Sequence, residues 1–293
     1  MSFSERYKKI KQLVQIELGQ IEQQMIEVIN IREPLRSVLI NFLKAPSKRI
    51  RPVLSLLYMK ACSSKISKSQ LDLLTVVELV HNASLIHDDV IDESKLRRGH
   101  KSLSAEFDNK LAVISGDYIL SLAMGKLSGL GSLEIVRIFS NTIRQMCIGE
   151  VNQNFDRYKI GTIEDYVEKT KNKTAYLFET ALVCCAKLNT TPVDITKISE
   201  FGINTGIAFQ IRDDLINLSK TDLSKPVNND IEDGIYNAPV IFAGDSNDYF
   251  SGIEKTKDLL NNYINNARQK IDSLPDNEYK QAIEEFLELL SDV

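Results

Sequence analysis

The segment His87-Asp88-Asp89-Val90-Ile91-Asp92 holds three carboxylates. Asp88 and Asp92 are four residues apart, about one helical turn, so on a helix their side chains stack on one face. They close an apolar run, VVELVHNASLIHDDVID. Burying like charges a turn apart is costly unless a cation compensates them. The pattern returns in Phe209-Gln210-Ile211-Arg212-Asp213-Asp214-Leu215-Ile216-Asn217, again in an apolar setting, with Asn217 where the third carboxylate would repeat. Oxygen-only ligands select a hard cation, and few ligands per site leave room for water and phosphate oxygens, which suits Mg²⁺ better than zinc. One such motif is balanced evenly against ordinary acids at a solvated helix end. Two copies in apolar surroundings favour metal binding.

The basic residues are grouped as well. Lys48-Arg49-Ile50-Arg51-Pro52 precedes an apolar segment, Arg97-Arg98-Gly99 follows the first acidic cluster, and Lys173 and Lys225 stand singly in KNKTAYLF and LSKPVNND. Each alone reads as a solvated charge. Beside two metal-binding faces they imply an anion with several negative oxygens, such as a diphosphate. All three histidines (His81, His87 and His100) fall near the first acidic cluster. His81 and His87 do not share a helix face, and His87 reads as a hydrogen-bonded core residue.

The elements that must carry these residues are helical. Tyr7, Ile10, Leu13, Val14, Leu18, Ile21, Met25 and Val28 form one apolar stripe, broken at Arg32-Glu33-Pro34. Further helices are expected from Pro52, over 71–91, from Gly116, over 133–154, 163–188, 198–218 and 253–271, and after Pro275. Residues 219–236 and 244–252 read as loops. Gly (13) and Pro (7) are scarce in 293 residues, against many tight turns and hence against a sandwich or barrel. With 43% hydrophobic residues and no trustworthy strand alternation, an all-α fold of long helices is predicted, as a single domain over 1–293. A net charge of −4 gives no bulk attraction for nucleic acid. The polar start shows no signal peptide, and no long uncharged apolar run marks a membrane span. Four cysteines (Cys62, Cys147, Cys184 and Cys185) without a CxxC pair read as core packing in a reducing, cytoplasmic compartment.

KRIRP (48–52), ELVHNASLIHDDVID (78–92), RRG (97–99), GDYIL (116–120), GE (149–150), KTAYLF (173–178), FQIRDD (209–214) and KPVNNDIEDG (225–234), in this order and spacing, resemble the trans-isoprenyl diphosphate synthase (polyprenyl synthetase) family. The resemblance implies an all-α bundle of long antiparallel helices around a deep central cavity, usually a homodimer. It implies an allylic diphosphate and isopentenyl diphosphate as substrates, a product delivered to membranes, and about three Mg²⁺ ions per substrate-loaded site. By position, Asp88, Asp92 and Asp213 would hold Mg²⁺, with Asp89, Asp214 and Asn217 behind them or acting through water. Arg97, Lys173 and Lys225 would hold the allylic diphosphate. Lys48, Arg51, His81 and Arg98 would hold the isopentenyl diphosphate, and Thr174 and Gln210 would face the reacting carbon. Ionising an allylic C–O bond needs positive charge on the leaving diphosphate and a dry cavity, not a protein nucleophile.

The chain departs from the family pattern at Pro46-Ser47, in place of a glycine pair, and at Asn217, Ile235 and Asn237. Ala83 and Ser84, five and four residues before Asp88, are small. By family analogy they set no aromatic floor under the growing tail and imply a medium- or long-chain product. Three other readings stay open at this point. A terpene cyclase would share only the first acidic motif. An HD-type phosphohydrolase, suggested by His87-Asp88, would need histidines elsewhere. A catalytically weak or regulatory subunit of a heteromeric synthase would account for Asn217 and Ile235.

Overall fold

The computed structural model describes residues 3–62, 65–189, 192–219, 233–244 and 249–293. Their secondary structure is helical apart from one two-stranded hairpin, β1 (Leu96–Arg97) against β2 (His100–Lys101). The all-α expectation holds. The backbone divides into two compact units. An amino-terminal unit comprises residues Lys11–Arg137 and Cys184–Pro192, and a carboxy-terminal unit comprises Met1–Ile10, Ile138–Val183 and Val193–Val293.

The expected stripe over residues 7–28 is two helices, α1 (Phe3–Gln12) and α2 (Gln15–Glu27), separated at Val14. Lys60 Nζ reaches the Leu13 carbonyl at 3.4 Å and Glu17 Oε1 at 2.6 Å, so a cation occupies the carbonyl freed at the break. The apolar period continues across it because both helices bury the same stripe. Pro34 precedes α3 (Leu35–Lys44), and α4 (Ile50–Ala61) follows with nearly every side chain buried.

Helix α5 (Lys68–Ile91) carries the first acidic motif. A capping box starts it: Ser67 Oγ accepts from the Gln70 N–H at 3.2 Å, and Gln70 Oε1 accepts from the Ser67 N–H at 2.8 Å. Beyond the hairpin and a short turn, α6 (Leu103–Glu106), α7 (Asn109–Ser128) lies along α5. It begins seven residues before the expected Gly116, because Asp108 caps it by accepting from the Leu111 N–H at 2.7 Å. Gly116 is the crossing point, where a Cβ would stand 2.2 Å from His87 Nε2. His87 is hydrogen-bonded, to the Val113 carbonyl at 3.3 Å, though half-buried rather than core. By length and hydropathy α7 alone among the described helices could cross a membrane, but Lys110, Asp117 and Lys126 lie within it, so it is not an uncharged apolar run. Here it packs on α5, with Lys126 Nζ on Asp72 Oδ1 at 2.6 Å.

The expected helix over 163–188 is three pieces: α9 (Ile163–Thr170), a π-helical turn (Lys171–Ala175) and α10 (Tyr176–Lys187). It follows α8 (Leu133–Phe155) and a loop ending at Thr162, which with Asp165 forms a capping box. Helix α11 (Ile195–Ser219) carries the second acidic motif. Gly202 and Gly206, one turn apart, bring it down on this chain: a Cβ at Gly206 would stand 2.6 Å from Ala175 Cα, and one at Gly202 2.7 Å from Glu179 Cα. The unit ends with α12 (Ala238–Ala243), α13 (Tyr249–Ile271) and α14 (Glu278–Ser291). Residues 249–252 are helical where a loop was expected. Gly252 read as a breaker, but it serves close packing, since a Cβ there would lie 2.2 Å from the Pro239 carbonyl. Cys184 and Cys185 are buried as expected, whereas Cys62 is half-buried and Cys147 exposed, so the core reading fails for Cys147.

Gly206→Ala pushes α11 off the π-turn. A destabilisation of about 1–3 kcal/mol is expected in urea unfolding, as for other overpacked interiors, while Gly125→Ala, at an open position within α7, is expected to raise the midpoint, since Gly costs about 1 kcal/mol relative to Ala in a helix interior.

Candidate functional site

The amino-terminal unit places Asp88 and Asp92 on the last turn of α5. Asp92 is its C-cap and is exposed, its N–H on the Asp88 carbonyl at 2.8 Å, and Asp88 is half-buried. No basic residue lies in that turn. A helix C-terminus carries partial negative charge, so carboxylates there are unfavourable without a cation. Asp89 points inward and is 1% exposed. Its Oδ1 accepts from Arg97 Nε at 2.8 Å and also from Nη2, while its Oδ2 is buried with no hydrogen-bond partner among the described residues. The hairpin makes this contact possible. Arg98 (φ 52°) and Gly99 (φ 80°) are its central residues, the positive-φ pair of a tight two-residue turn that brings Arg97 back to α5.

A cationic cluster stands beside the motif. Arg98 Nη1 lies 3.4 Å from Asn82 Oδ1. His81 is held well below its ordinary pKa by burial and by Arg51, Arg98, Arg49 and Arg97. Burial likewise pushes the Arg51 guanidinium down to about 10, and Lys48 is exposed. The sequence reading missed Arg49 and Glu78. Arg49 adopts φ 54° at the start of α4, is 4% exposed, and donates Nη1 to Glu78 Oε2 at 2.8 Å and Nη2 to the Leu43 carbonyl at 2.6 Å. This buried pair ties the turn bearing Lys48 and Arg51 to α5 one turn before His81. The signal was a lone acid, Glu78, inside an apolar run. Ala83 is buried. Ser84 is half-buried and donates Oγ–H to the His81 carbonyl at 2.9 Å.

The carboxy-terminal unit gathers the second set. Gly149 admits the π-helical turn against α8, since a Cβ there would lie 3.1 Å from Lys173 N, and Glu150 Oε2 meets Lys173 Nζ at 2.6 Å. Thr174 Oγ1 donates to Gln210 Oε1 at 3.0 Å. Asp214 is buried and hydrogen-bonded on both oxygens: Oδ1 accepts from Gln210 Nε2 at 2.9 Å and Oδ2 from the Tyr166 hydroxyl at 2.6 Å. Asp213 is half-buried and Asn217 exposed, on the last two turns of α11, where the final turn has no basic residue. Arg212 Nη1 stays 3.9 Å from Asp213 Oδ1, while its Nε donates to the Leu289 carbonyl at 3.2 Å and its guanidinium lies 4.1 Å from the Phe3 ring centre. A cleft of about 410 Å³ in this unit is lined by Asn152, Asp156, Lys169 and Ile235 among others, and none of Lys173, Thr174, Gln210 or Asp213 borders it. Lys225 and the whole of KPVNND (225–230) lie outside the described residues.

Among the described residues no three His, Cys, Asp or Glu side chains converge as a complete metal site. Each motif supplies carboxylate oxygens only, at helix ends that want positive charge. That donor set fits a hard divalent cation completing its shell from water or phosphate. Helices that present acidic ends and a partly buried arginine cluster define a protein built to hold polyanionic oxygens.

Known proteins agree. The family model for polyprenyl synthetase matches residues 32–281. A prenyl transferase of Cyanidium caldarium is 38% identical over 242 residues, covering 80% of this chain and 75% of that protein. The decaprenyl-diphosphate synthase of Dictyostelium discoideum is 34% identical, covering 85% of this chain and 60% of that one. The crystal structure of heptaprenyl diphosphate synthase from Staphylococcus aureus superposes with a TM-score of 0.86 at 25% identity, covering 95% and 98% of the two chains. The chain belongs to the polyprenyl synthetase family and is a prenyltransferase of isoprenoid biosynthesis.

The depressed pKa of His81 has a consequence for stability. Below about pH 6.5 the unfolded chain protonates this imidazole while the native state resists, so stability falls as pH falls. His81 is expected to remain neutral at pH 6 by NMR, and His81→Gln to lose less urea stability than wild type between pH 7 and pH 5.

Proposed function

We propose that this chain condenses an allylic diphosphate with isopentenyl diphosphate to give an all-trans polyprenyl diphosphate of medium or long chain. The observation that carries the reading is one unit holding both an acidic helix end, Asp88 and Asp92, and the arginine cluster with neutral His81. The similarity to decaprenyl- and heptaprenyl-diphosphate synthases supports the product class. The family match spans residues of both units, which supports one functional domain.

Asp88, Asp92 and Asp213 would hold Mg²⁺, which when bound supplies positive charge to the leaving diphosphate. Asp89 holds Arg97 on α5, from where the remaining N–H groups of Arg97, those of Nη1 above all, would serve the allylic diphosphate. Lys173 serves the same group, with Glu150 as its counter-ion before substrate arrives. Lys225 completes this set in the proposal. Lys48, Arg51, Arg98 and His81 hold the isopentenyl diphosphate, where neutral His81 offers one N–H without adding charge. The allylic C–O bond breaks, a C–C bond forms to the second substrate's double bond, and the departing diphosphate takes the released proton. Ala83 and Ser84 leave the tail path open. A homodimer is part of the reading, supported by the stripe Ile148, Val151 and Phe155 exposed on α8.

Purified chain with Mg²⁺ and both diphosphates is expected to elongate the allylic primer, as read by chromatography. Asp88→Ala is expected to cut turnover by about a thousandfold or more with the fold intact; near-normal turnover would remove the mechanism. Ser84→Phe, at a half-buried position, is expected to shorten the product, and an unchanged product distribution would place the floor elsewhere. Elongation only after a lysate is added would favour the heteromeric subunit that Asn217 and Ile235 suggest.

A further inference from the structure

Tyr166 on α9 is buried and is assigned to neither substrate nor metal in the proposed reaction. Its hydroxyl sits in a hydrogen-bonded row within the carboxy-terminal unit. Thr170 bonds the phenol oxygen, the phenol donates to Asp214 Oδ2 at 2.6 Å, Gln210 Nε2 donates to Asp214 Oδ1 at 2.9 Å, and Thr174 Oγ1 donates to Gln210 Oε1 at 3.0 Å. Chemistry dictates the direction of every bond. An ionised carboxylate only accepts, so Gln210 must turn its NH₂ toward Asp214 and its oxygen toward Thr174, whose hydroxyl must then donate. Tyr166, Asp214 and Thr174 are each more than nine-tenths buried, so water does not substitute for a missing partner.

We propose that Tyr166 is a positioning residue: by occupying Asp214 Oδ2 it holds the carboxylate so that the Gln210 amide keeps its N–H groups away from the reacting carbon and, with Thr174, presents oxygen lone pairs to it. The inference rests on the function proposed above, in which Thr174 and Gln210 face a carbon that becomes positive. An amide turned the other way would aim its positive N–H end at that charge. Burial and the Asp214 charge raise the Tyr166 pKa well above its ordinary value, so the phenol stays a donor throughout the working range. The π-helical turn at Lys171–Ala175 places Thr170 and Thr174 at the two ends of the row.

Two measurements test this. In the substrate-free protein, the ¹⁵N-labelled side-chain amide of Gln210 is expected to show one strongly shifted, slowly exchanging proton, lost in Tyr166→Phe. In turnover, Tyr166→Phe is expected to lower kcat about 100-fold, with KM for both diphosphates and the Mg²⁺ half-saturation within about twofold. Asp214→Asn keeps the shape and the Tyr166 bond but reverses the row. It is expected to lower kcat similarly, and the charge-conserving pair Asp214→Asn with Gln210→Glu, which makes Thr174 a donor again, to recover at least about tenfold. A freely averaging Gln210 amide in wild type overturns the proposal, as does a Tyr166→Phe kcat within about twofold of wild type, or no recovery in the pair. The amide measurement needs no turnover. If wild type made no product, the function reading would fail while the row was still judged on its own.

Discussion

Two pairs of carboxylates stand where electrostatics opposes them. Asp88 and Asp92 close α5, and Asp213 and Asp214 lie near the end of α11, and neither helix has a basic residue in its last turn. The macrodipole there is negative, and adjacent acids add to it. A folded chain keeps such an arrangement when a bound cation returns more than the arrangement costs. Violated local rules of this kind concentrate at functional sites. Within each adjacent pair, Asp88–Asp89 and Asp213–Asp214, the surrounding structure holds one acid inward against a partner and presents the other outward. Asp89 is held by Arg97 and Asp214 by Tyr166 and Gln210, which leaves Asp88 and Asp213 half-buried on the outward side.

The cations are managed in the same way. Arg49 is spent on Glu78, and Arg97 is bound on two of its nitrogens by Asp89. Around them burial lowers the proton affinity of Arg51, and burial together with neighbouring arginines lowers that of Arg98 and His81. Breaking the Arg49–Glu78 pair on one side would leave a buried charge uncompensated, which is why such pairs are stiff anchors even where they add little net stability.

Close backbone approach does the mechanical part. Gly116 lets α7 cross α5 over His87, Gly149 admits the π-turn against α8, and Gly206 seats α11 on Ala175. Each of these glycines lies in a helix interior, where Gly costs about 1 kcal/mol relative to Ala. Each returns it by bringing a site-bearing segment within contact distance.

The acidic motifs, the basic groups and the long helical periods were legible in the sequence, because residue type and a 3.6-residue repeat are local properties. Those same properties pointed to the family and the helical class, and to a diphosphate as the expected anion. Several features were not legible. The break at Val14 preserves the apolar period, so periodicity passes over it. The helical start at Tyr249 was hidden because a glycine that packs looks like a glycine that breaks. The division of labour within each Asp-Asp pair was also invisible, since adjacent acids are chemically identical until burial separates them. Glu78 with Arg49, and Tyr166 with Asp214, are 29 and 48 residues apart along the chain. The sequence by itself determined which groups were available. Only tertiary structure decided which were neutralised and which left facing outward, because desolvation and pairing depend on what the rest of the chain places within a few ångströms.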